Sequence, residues 1–435
     1  MNAREEVSAM NIDSSPSIRS RLTKIKNNGS SIYEWVGIVL LSISYIVIYL
    51  PRMMEPYPSV YRRNVQRNMK YVADTLASGG NPYTPPYPDF YSTAGGNLHG
   101  VLGAPFNLIF DFPQSFRIGV VVMGWISLLV FYLILKKIGV RSYVSLFMTF
   151  ACMVYPQYIL FFSQGNPSAA DIFFGLIAVY AYLRWRVNSV KYWLYLSSLS
   201  AGAATFSHFY SGVIVIGIIS HYLFTRTYNR EEFLRVNFIY FVGLLPALGL
   251  LATYKLVFVG QDPNSHYTSR LIINSFSEVY YTQTAYESGF SMYSLEFLRA
   301  LLDQHGDKSP IFGYWWLTGA VGIIISLSRY LGAVEKSIWS LILYWIMSGL
   351  LIVVIIPGGA IYHDYYTWWL LMGVFAGLAL SVETAFSIFE QKSSMKRNLL
   401  AIVIISLLLL IIIESTTAHW QGLLLADTDT ILQAF

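Results

Sequence analysis

Runs of about 20 mostly apolar residues recur along almost the whole chain, and they limit its fold more than any other feature. Such a run is what an α-helix needs to cross the hydrocarbon core of a bilayer. About eleven runs are recognisable, centred near residues 42, 125, 152, 176, 199, 217, 246, 320, 347, 373 and 407. The sequence therefore predicts an all-α polytopic membrane protein with about 11 transmembrane helices.

The composition excludes several other classes of protein. Charged residues make up only 12% of the chain, whereas a soluble domain has about 25%, so an arrangement of soluble domains is excluded. The basic residues lie in short loops between apolar runs, which argues against a nucleic-acid partner. The single cysteine, Cys152, lies inside an apolar run, which excludes disulfides and cysteine-based metal sites.

The basic residues also predict an orientation, because Lys and Arg collect in the cytoplasmic loops of membrane proteins. They occur in alternate short loops: Lys136, Lys137 and Arg141; Arg184, Arg186 and Lys191; Arg226, Arg230 and Arg235; Arg329 and Lys336; Lys392, Lys396 and Arg397. The intervening segments 163–171, 207–209 and 357–364 contain no Lys or Arg. We therefore expect a plasma-membrane protein with its N-terminus inside and its C-terminus outside.

Three regions follow from this arrangement. Residues 1–31 are polar and are expected to be a disordered cytoplasmic tail. Residues 32–385 form a transmembrane module with two large exoplasmic loops, 51–114 and 257–312, and residues 386–435 form the last transmembrane helix and an exoplasmic C-terminal tail. The first loop contains Arg62 and Arg63, and positive charge held outside against the usual bias suggests an anionic ligand.

Four stretches carry a family resemblance: NMKYVADTLASGGNPY at 68–83, NPSAADIFFGLIAVYAYLRWR at 166–186, LSAGAATFSHFYSG at 199–212 and IYHDYYTWWLL at 361–371. With the two large loops, they resemble the GT-C membrane glycosyltransferases. The chain is most similar to the protein O-mannosyltransferase and lipid A aminoarabinose transferase branch, including archaeal relatives. The resemblance implies a GT-C fold over 32–385. It also implies transfer of a sugar from a polyprenyl-phosphate donor to a glycan, lipid or protein acceptor on the exoplasmic face.

Such a transfer needs a carboxylate to take the proton of the acceptor hydroxyl. The family usually has an Asp-Glu pair soon after the first span, but Glu55 is the only carboxylate between Leu50 and Asp74. Glu55 is therefore the first candidate for the base and Asp89 the second, although Glu55 also fits a solvated loop charge. The position of Asp171 in the family pattern makes it a further catalytic candidate, although an acidic residue there could simply favour the helix N-terminus.

The leaving phosphate needs cations or hydrogen-bond donors. The candidates are Arg62, Arg63, His208, His363, Tyr362 and Tyr365. The two arginines fit equally well as interfacial anchors whose charges reach the head groups. Glu55, Asp171 and His363 are candidate ligands for a divalent metal, with oxygen ligands suiting Mg²⁺ or Mn²⁺ and added imidazole permitting Zn²⁺.

Three other functions remain open from the sequence. A polymerase or ligase of surface glycans is an enzyme with a different fold, and its large loop usually lies later in the chain. A flippase or transporter of lipid-linked sugars would share the predicted topology, although no internal repeat is visible. A non-catalytic GT-C relative would account for the missing Asp-Glu pair. Turnover of a labelled polyprenyl-phosphate sugar would separate the enzymes from the transporter and from the non-catalytic relative.

Overall fold

A computed structural model describes residues 32–53, 74–75, 77–80, 105–106, 109, 114–163, 168–225, 230–253, 340–355 and 368–389 of the chain. Its longer helices are α1 (Ile32–Met53), α2 (Gln114–Lys137), α3 (Ser142–Met153), α4 (Pro156–Ser163), α5 (Ser168–Asn188), α6 (Lys191–Ser207), α7 (Val213–Thr225), α8 (Arg230–Thr253), α9 (Leu341–Ile355) and α10 (Trp368–Phe389). A short 3₁₀ helix, Phe209–Gly212, joins α6 to α7. No strand occurs within these ranges.

Four of the described helices are long and apolar enough to cross a membrane by length and composition. They are Ile32–Met53, Arg117–Lys137, Arg230–Gly249 and Trp368–Phe386. Within the described residues, these helices confirm the predicted helical membrane architecture. The count of eleven spans and the orientation stay predictions, because the runs near residues 320 and 407 lie outside the described residues.

The run centred near residue 152 differs from the expected single helix. It forms two helices, α3 and α4, that are separated at residues 154–155. Pro156 begins α4, and a proline disfavours the α conformation in the residue before it while lacking a backbone N–H of its own. The apolar pattern could not show this interruption, because Val154 and Tyr155 are themselves buried hydrophobic residues.

One end of the bundle is joined by Glu34 in the first turn of α1. Tyr132 of α2 and Ser142 of α3 donate hydrogen bonds to its carboxylate. The Lys136 Nζ atom lies 3.5 Å from the Glu34 Oε1 atom. The beginning of α1, the end of α2 and the beginning of α3 therefore meet at this end, which we call the Glu34 end.

The last described helix reaches the same end through an ion pair. Arg141 donates to Glu383 of α10 twice, from its backbone nitrogen at 3.0 Å and from Nε at 2.8 Å. Glu383 is buried, and a buried carboxylate needs this compensation. The expected domain boundary at residue 385 lies within α10.

The opposite end of the bundle brings the end of α1 to the beginning of α2. Arg117 Nη1 donates to the backbone oxygen of Met53 at 2.7 Å. Nearby, Tyr49 donates to the Met153 oxygen at 2.7 Å, and Tyr158 of α4 donates to the Gly124 oxygen at 2.9 Å. These hydrogen bonds hold α1, α2 and the α3–α4 pair together.

Small residues let α5, α6 and α8 pack closely, as is usual for helices in membranes. A methyl group at Gly202 of α6 would lie 2.1 Å from the backbone oxygen of Gly243 of α8. Ser197 Oγ donates to the Ala178 oxygen at 2.7 Å and lies 2.6 Å from the Tyr240 hydroxyl. The three helices therefore form one close-packed unit.

A second close-packed unit consists of α7, α9 and α10. A methyl group at Gly217 of α7 would lie 2.9 Å from the Ser348 Oγ atom, and one at Gly349 of α9 would lie 2.6 Å from the Leu370 Cα atom. The Trp369 indole donates to Ser348 Oγ at 3.0 Å. This packing sets the beginning of α10 beside α5, where the candidate site lies.

Candidate functional site

Asp171 is the centre of the candidate site. It lies in the first turn of α5, after the segment NPSA that precedes it. A carboxylate in the first turn is stabilised by the exposed N–H groups and the dipole of the helix. Its side chain is 0% exposed, so the fold must supply partners for a buried carboxylate.

Three hydrogen-bond donors supply these partners. Asp171 Oδ2 accepts from Ser211 Oγ at 2.9 Å and from Trp368 Nε1 at 3.1 Å. Asp171 Oδ1 accepts from the backbone nitrogen of Ile172 at 3.1 Å. The carboxylate therefore joins α5 to the 3₁₀ helix and to the beginning of α10.

His208 is the fourth member of the site. Its Nδ1 atom lies 3.5 Å from Asp171 Oδ2, and its side chain is 12% exposed while that of Asp171 is 0% exposed. The imidazole stacks on Tyr210, with ring centroids 4.9 Å apart and an angle of 25° between the planes. His208 is therefore the member of the pair that reaches accessible surface.

The local backbone explains why His208 and Ser211 both face Asp171. Helix α6 ends at Ser207, and His208 has extended dihedral angles, φ −146° and ψ 125°. The chain then turns through the 3₁₀ helix, where the Ser211 nitrogen donates to the His208 oxygen at 2.9 Å. This turn places the imidazole and the hydroxyl on the same carboxylate.

The structure thus brings together two residues that the sequence predicted for the site, Asp171 and His208. Two further members, Ser211 and Trp368, were missed. Ser211 lies within the SHFYSG motif and Trp368 directly follows the segment YHDYYT, so both stretches had been singled out but not these residues. The other predicted site residues lie outside the described part of the chain: Glu55, Arg62, Arg63, Asp89, Tyr362, His363 and Tyr365.

Arg117 is another functional candidate that the sequence analysis missed. Its side chain is 0% exposed, although it lies at the apolar beginning of α2. Helices α2 and α5 pack side by side, and Lys137 and Arg184 near their C-terminal ends lie close enough to interact electrostatically, so the two helices run parallel. Arg117 and Asp171 therefore occupy the same end of the bundle, opposite the Glu34 end. A buried, permanently charged guanidinium among membrane helices suggests a functional role.

The site can hold a negative charge in place and present an imidazole beside it. Within the described ranges, no group of three or more His, Cys, Asp or Glu side chains could hold a metal ion. Asp171 Oδ2 already accepts two hydrogen bonds, which use the two lone pairs of a carboxylate oxygen. Asp171 therefore fits a positioning role better than direct metal ligation through Oδ2.

Comparisons with known proteins agree with the predicted resemblance. The family model for dolichyl-phosphate-mannose-protein mannosyltransferases matches residues 102–255, about a third of the chain. A solved structure of the Saccharomyces cerevisiae protein O-mannosyltransferase Pmt1-Pmt2 complex, bound to the sugar donor, matches with 19% identity and a TM-score of 0.39. The match covers 55% of this chain and 35% of the yeast chain, so this chain spans about a third of that relative. The comparison with curated proteins gave no significant match.

The matched residues include most of the candidate site. Arg117, Asp171, His208 and Ser211 all lie between residues 102 and 255. The family description names a mannosyltransferase, and a mannosyltransferase is a glycosyltransferase, the class to which the sequence motifs pointed. Over this segment the chain therefore resembles the dolichyl-phosphate-mannose-protein mannosyltransferases, and the predicted similarity to GT-C membrane glycosyltransferases is confirmed.

Proposed function

We propose that this chain is a GT-C glycosyltransferase that moves a sugar from a polyprenyl-phosphate donor to a hydroxyl acceptor. The observation that carries the proposal is the family match over residues 102–255, because this segment contains the buried Asp171 and its partners His208 and Ser211. Mannose is the first sugar to test, because the matching family is described by that donor. The acceptor is a protein, a lipid or a glycan.

The reaction is a displacement at the anomeric carbon of the donor sugar. The acceptor oxygen forms a bond to that carbon, the bond from the carbon to the phosphate oxygen breaks, and the acceptor proton passes to a carboxylate. Glu55 is our first candidate for this general base and Asp89 the second. Asp171 is proposed as a positioning residue, because its Oδ2 atom is already used by Ser211 and Trp368.

The leaving phosphate would be held by cations and hydrogen-bond donors at the same end. His208 is the partly exposed member of the described site, and Arg117 is the buried guanidinium at that end. Arg62, Arg63 and His363 are further candidates, with Tyr362 and Tyr365 as hydroxyl donors. Arginine suits this task because its fork of N–H groups matches the geometry of a phosphate.

A divalent metal held by Glu55 and His363 is a separate proposal. Asp171 could join such a metal only through Oδ1, since Oδ2 already has two donors. Loss of transfer after chelation, with recovery on addition of Mg²⁺, Mn²⁺ or Zn²⁺, would support the metal. Full transfer after chelation would remove the metal from the mechanism.

The orientation belongs to the proposal as well. We place the Glu34 end in the cytoplasm, because Lys136 and Arg141 lie there, and the Asp171 end on the exoplasmic face of the plasma membrane. The donor tail would then lie in the bilayer while its sugar lies beneath the loops 51–114 and 257–312. The variants Arg141→Cys and Gly212→Cys test this orientation in intact cells. An impermeant thiol reagent should label the cysteine at position 212 and should not label the one at position 141.

The deciding experiment measures transfer from radiolabelled polyprenyl-phosphate mannose and glucose to membrane acceptors. The variants are Glu55→Gln and Asp171→Asn, with Asp74→Asn as the control because Asp74 is exposed. Transfer by the parent and by Asp74→Asn, but not by Glu55→Gln, would support the enzyme and its base. Transfer that is unaffected by Glu55→Gln would move the base to Asp89.

The absence of transfer from either donor would overturn the proposal. Flux of the labelled donor across sealed vesicles would then identify a flippase. Neither transfer nor flux would identify a non-catalytic relative.

A further inference from the structure

Two cations lie close together at the Glu34 end, remote from Asp171. Lys137 is the last residue of α2, and Arg184 lies in the final two turns of α5. Their positive charges repel each other, and both side chains are partly buried. Two like charges held together in a region of reduced water need a counter-ion to offset the repulsion.

The nearby carboxylates do not serve as this counter-ion. Glu34 pairs with Lys136, and Glu383 pairs with Arg141. Among the described residues, neither Lys137 nor Arg184 has a carboxylate within ion-pair distance. The positive charge of this pair is therefore not neutralised by the described part of the chain.

Capping of helix ends does not explain the pair either. The carbonyls at the end of α2 already accept from backbone N–H groups, with the Gly139 nitrogen donating to Lys136 and the Val140 nitrogen to Leu135. At the end of α5, the Ser189 nitrogen donates to Trp185 at 2.7 Å. Backbone bonds of this kind satisfy the terminal carbonyls, so the two cations remain available for another anion.

Arg184 is held in a fixed position by an aromatic ring. Its guanidinium carbon lies 4.9 Å from the ring centroid of Trp193 on α6. The Nε atom of Arg184 is buried and has no hydrogen-bond partner. A guanidinium beside an indole keeps its N–H groups at its edge, where they match the oxygens of a phosphate.

An apolar stripe begins beside the same tryptophan. The Tyr192 ring lies 4.5 Å from that of Trp193. Tyr192, Tyr195, Leu196 and Leu199 are exposed by 55%, 50%, 38% and 58%. Their spacing puts all four on one face of α6. The two cations and the stripe therefore offer charge at the depth of lipid head groups and an apolar face that leads into the bilayer.

We propose that Lys137 and Arg184 bind the phosphate of an anionic phospholipid whose acyl chains lie along the stripe Tyr192–Tyr195–Leu196–Leu199. Inorganic phosphate or another soluble phosphate shares the anion, but it would make no use of the stripe. Basic sites between transmembrane helices on the cytoplasmic side suit such head groups. The proposal rests on the helices being in a membrane and not on the transferase activity.

The test uses the full chain purified in detergent and native mass spectrometry of bound lipid. The probes are phosphatidylglycerol, phosphatidylcholine and inorganic phosphate. We expect the parent to retain phosphatidylglycerol preferentially, and Lys137→Gln and Arg184→Gln each to weaken that retention about fivefold, as expected for the loss of one cation near an anionic head group. The control is Arg235→Gln, which removes an exposed cation paired with Glu232 on α8 and should leave retention unchanged.

Two further measurements keep the outcomes separate. The charge-conserving variant Lys137→Arg should retain the lipid, and thermal unfolding of each variant checks that the fold is intact. Equal weakening by Arg235→Gln would overturn the proposal, because general charge would then explain binding. Displacement of phosphatidylglycerol by inorganic phosphate at comparable concentration would overturn it as well, because the stripe would then contribute nothing.

Discussion

Replacing Asp171 by Asn removes the charge of the buried carboxylate while nearly conserving its shape. Ser211 Oγ, Trp368 Nε1 and the Ile172 backbone nitrogen all donate to it. A hydrogen bond to a charged acceptor contributes about 1 kcal/mol more than a neutral one, so the bonds to Ser211 and Trp368 together lose about 2 kcal/mol. The –NH₂ group of Asn cannot accept a hydrogen bond, so it would face either the two donors that now contact Oδ2 or the Ile172 N–H. This donor–donor contact adds about 1 kcal/mol to the loss of stability.

The expected cost of Asp171→Asn is therefore about 3 kcal/mol in the free energy of unfolding. A carboxylate that acts through His208 should also show coupling between the two positions. In a double-mutant cycle with His208→Gln, we expect the double variant to lose less than the sum of the single losses, with a coupling of about 1 kcal/mol. The atoms in question are Asp171 Oδ2 and His208 Nδ1, 3.5 Å apart.

The assay measures transfer of radiolabelled mannose at matched protein levels, together with thermal unfolding in detergent. Asp74→Asn is the control for a change of charge without burial. Additive losses from Asp171→Asn and His208→Gln would refute the positioning role. A stability of Asp171→Asn equal to that of the parent would refute the hydrogen-bond argument, because the three donors would then not depend on the charge.

The remaining predictions concern the packing of the bundle. Gly202→Ala should destabilise the fold by about 1–3 kcal/mol, because its methyl group would lie 2.1 Å from the Gly243 oxygen; Gly249→Ala is the matched control, since nothing lies within 4 Å of its methyl group. A Gly202→Ala variant with the thermal stability of the Gly249→Ala variant would contradict the observed packing. Glu383→Gln should lower the free energy of unfolding by about 1–2 kcal/mol, since Arg141 loses a charged acceptor. Adding Arg141→Gln to Glu383→Gln should recover part of that loss. Chemical denaturation in detergent measures the free energy of unfolding of each variant, and a double variant whose loss equals the sum of the two single losses would contradict the ion pair.

The helical architecture could be predicted because apolar length is a local property. The runs near residues 42 and 373 correspond to α1 and α10, and membrane thickness alone sets how long such runs must be. The break before Pro156 was missed because the apolar pattern continues across it. A proline in such a run can kink a helix or begin a new one, and packing decides between these outcomes.

The site could be predicted only in part, because its members come from distant parts of the chain. Asp171 and His208 were predicted from their places in motifs at equivalent ends of two spans, and the structure brings them within 3.5 Å. Trp368 lies 197 residues from Asp171 in sequence and reaches it through the indole N–H. Interior tryptophans are usually packing residues, so no local signal distinguishes this one from its neighbour Trp369.

The burial of Asp171 distinguishes a structural role from a chemical one. A fully buried carboxylate is tolerated among membrane helices only while donors surround it, so any change at Asp171 must alter stability as well as activity. His208 has no such requirement, since its side chain is partly exposed and belongs to the turn between α6 and α7. If His208 contacts the donor phosphate, then His208→Gln should reduce transfer with a smaller loss of stability than Asp171→Asn. The ratio of these two losses, and not the loss of activity alone, therefore identifies which of the two residues touches the substrate.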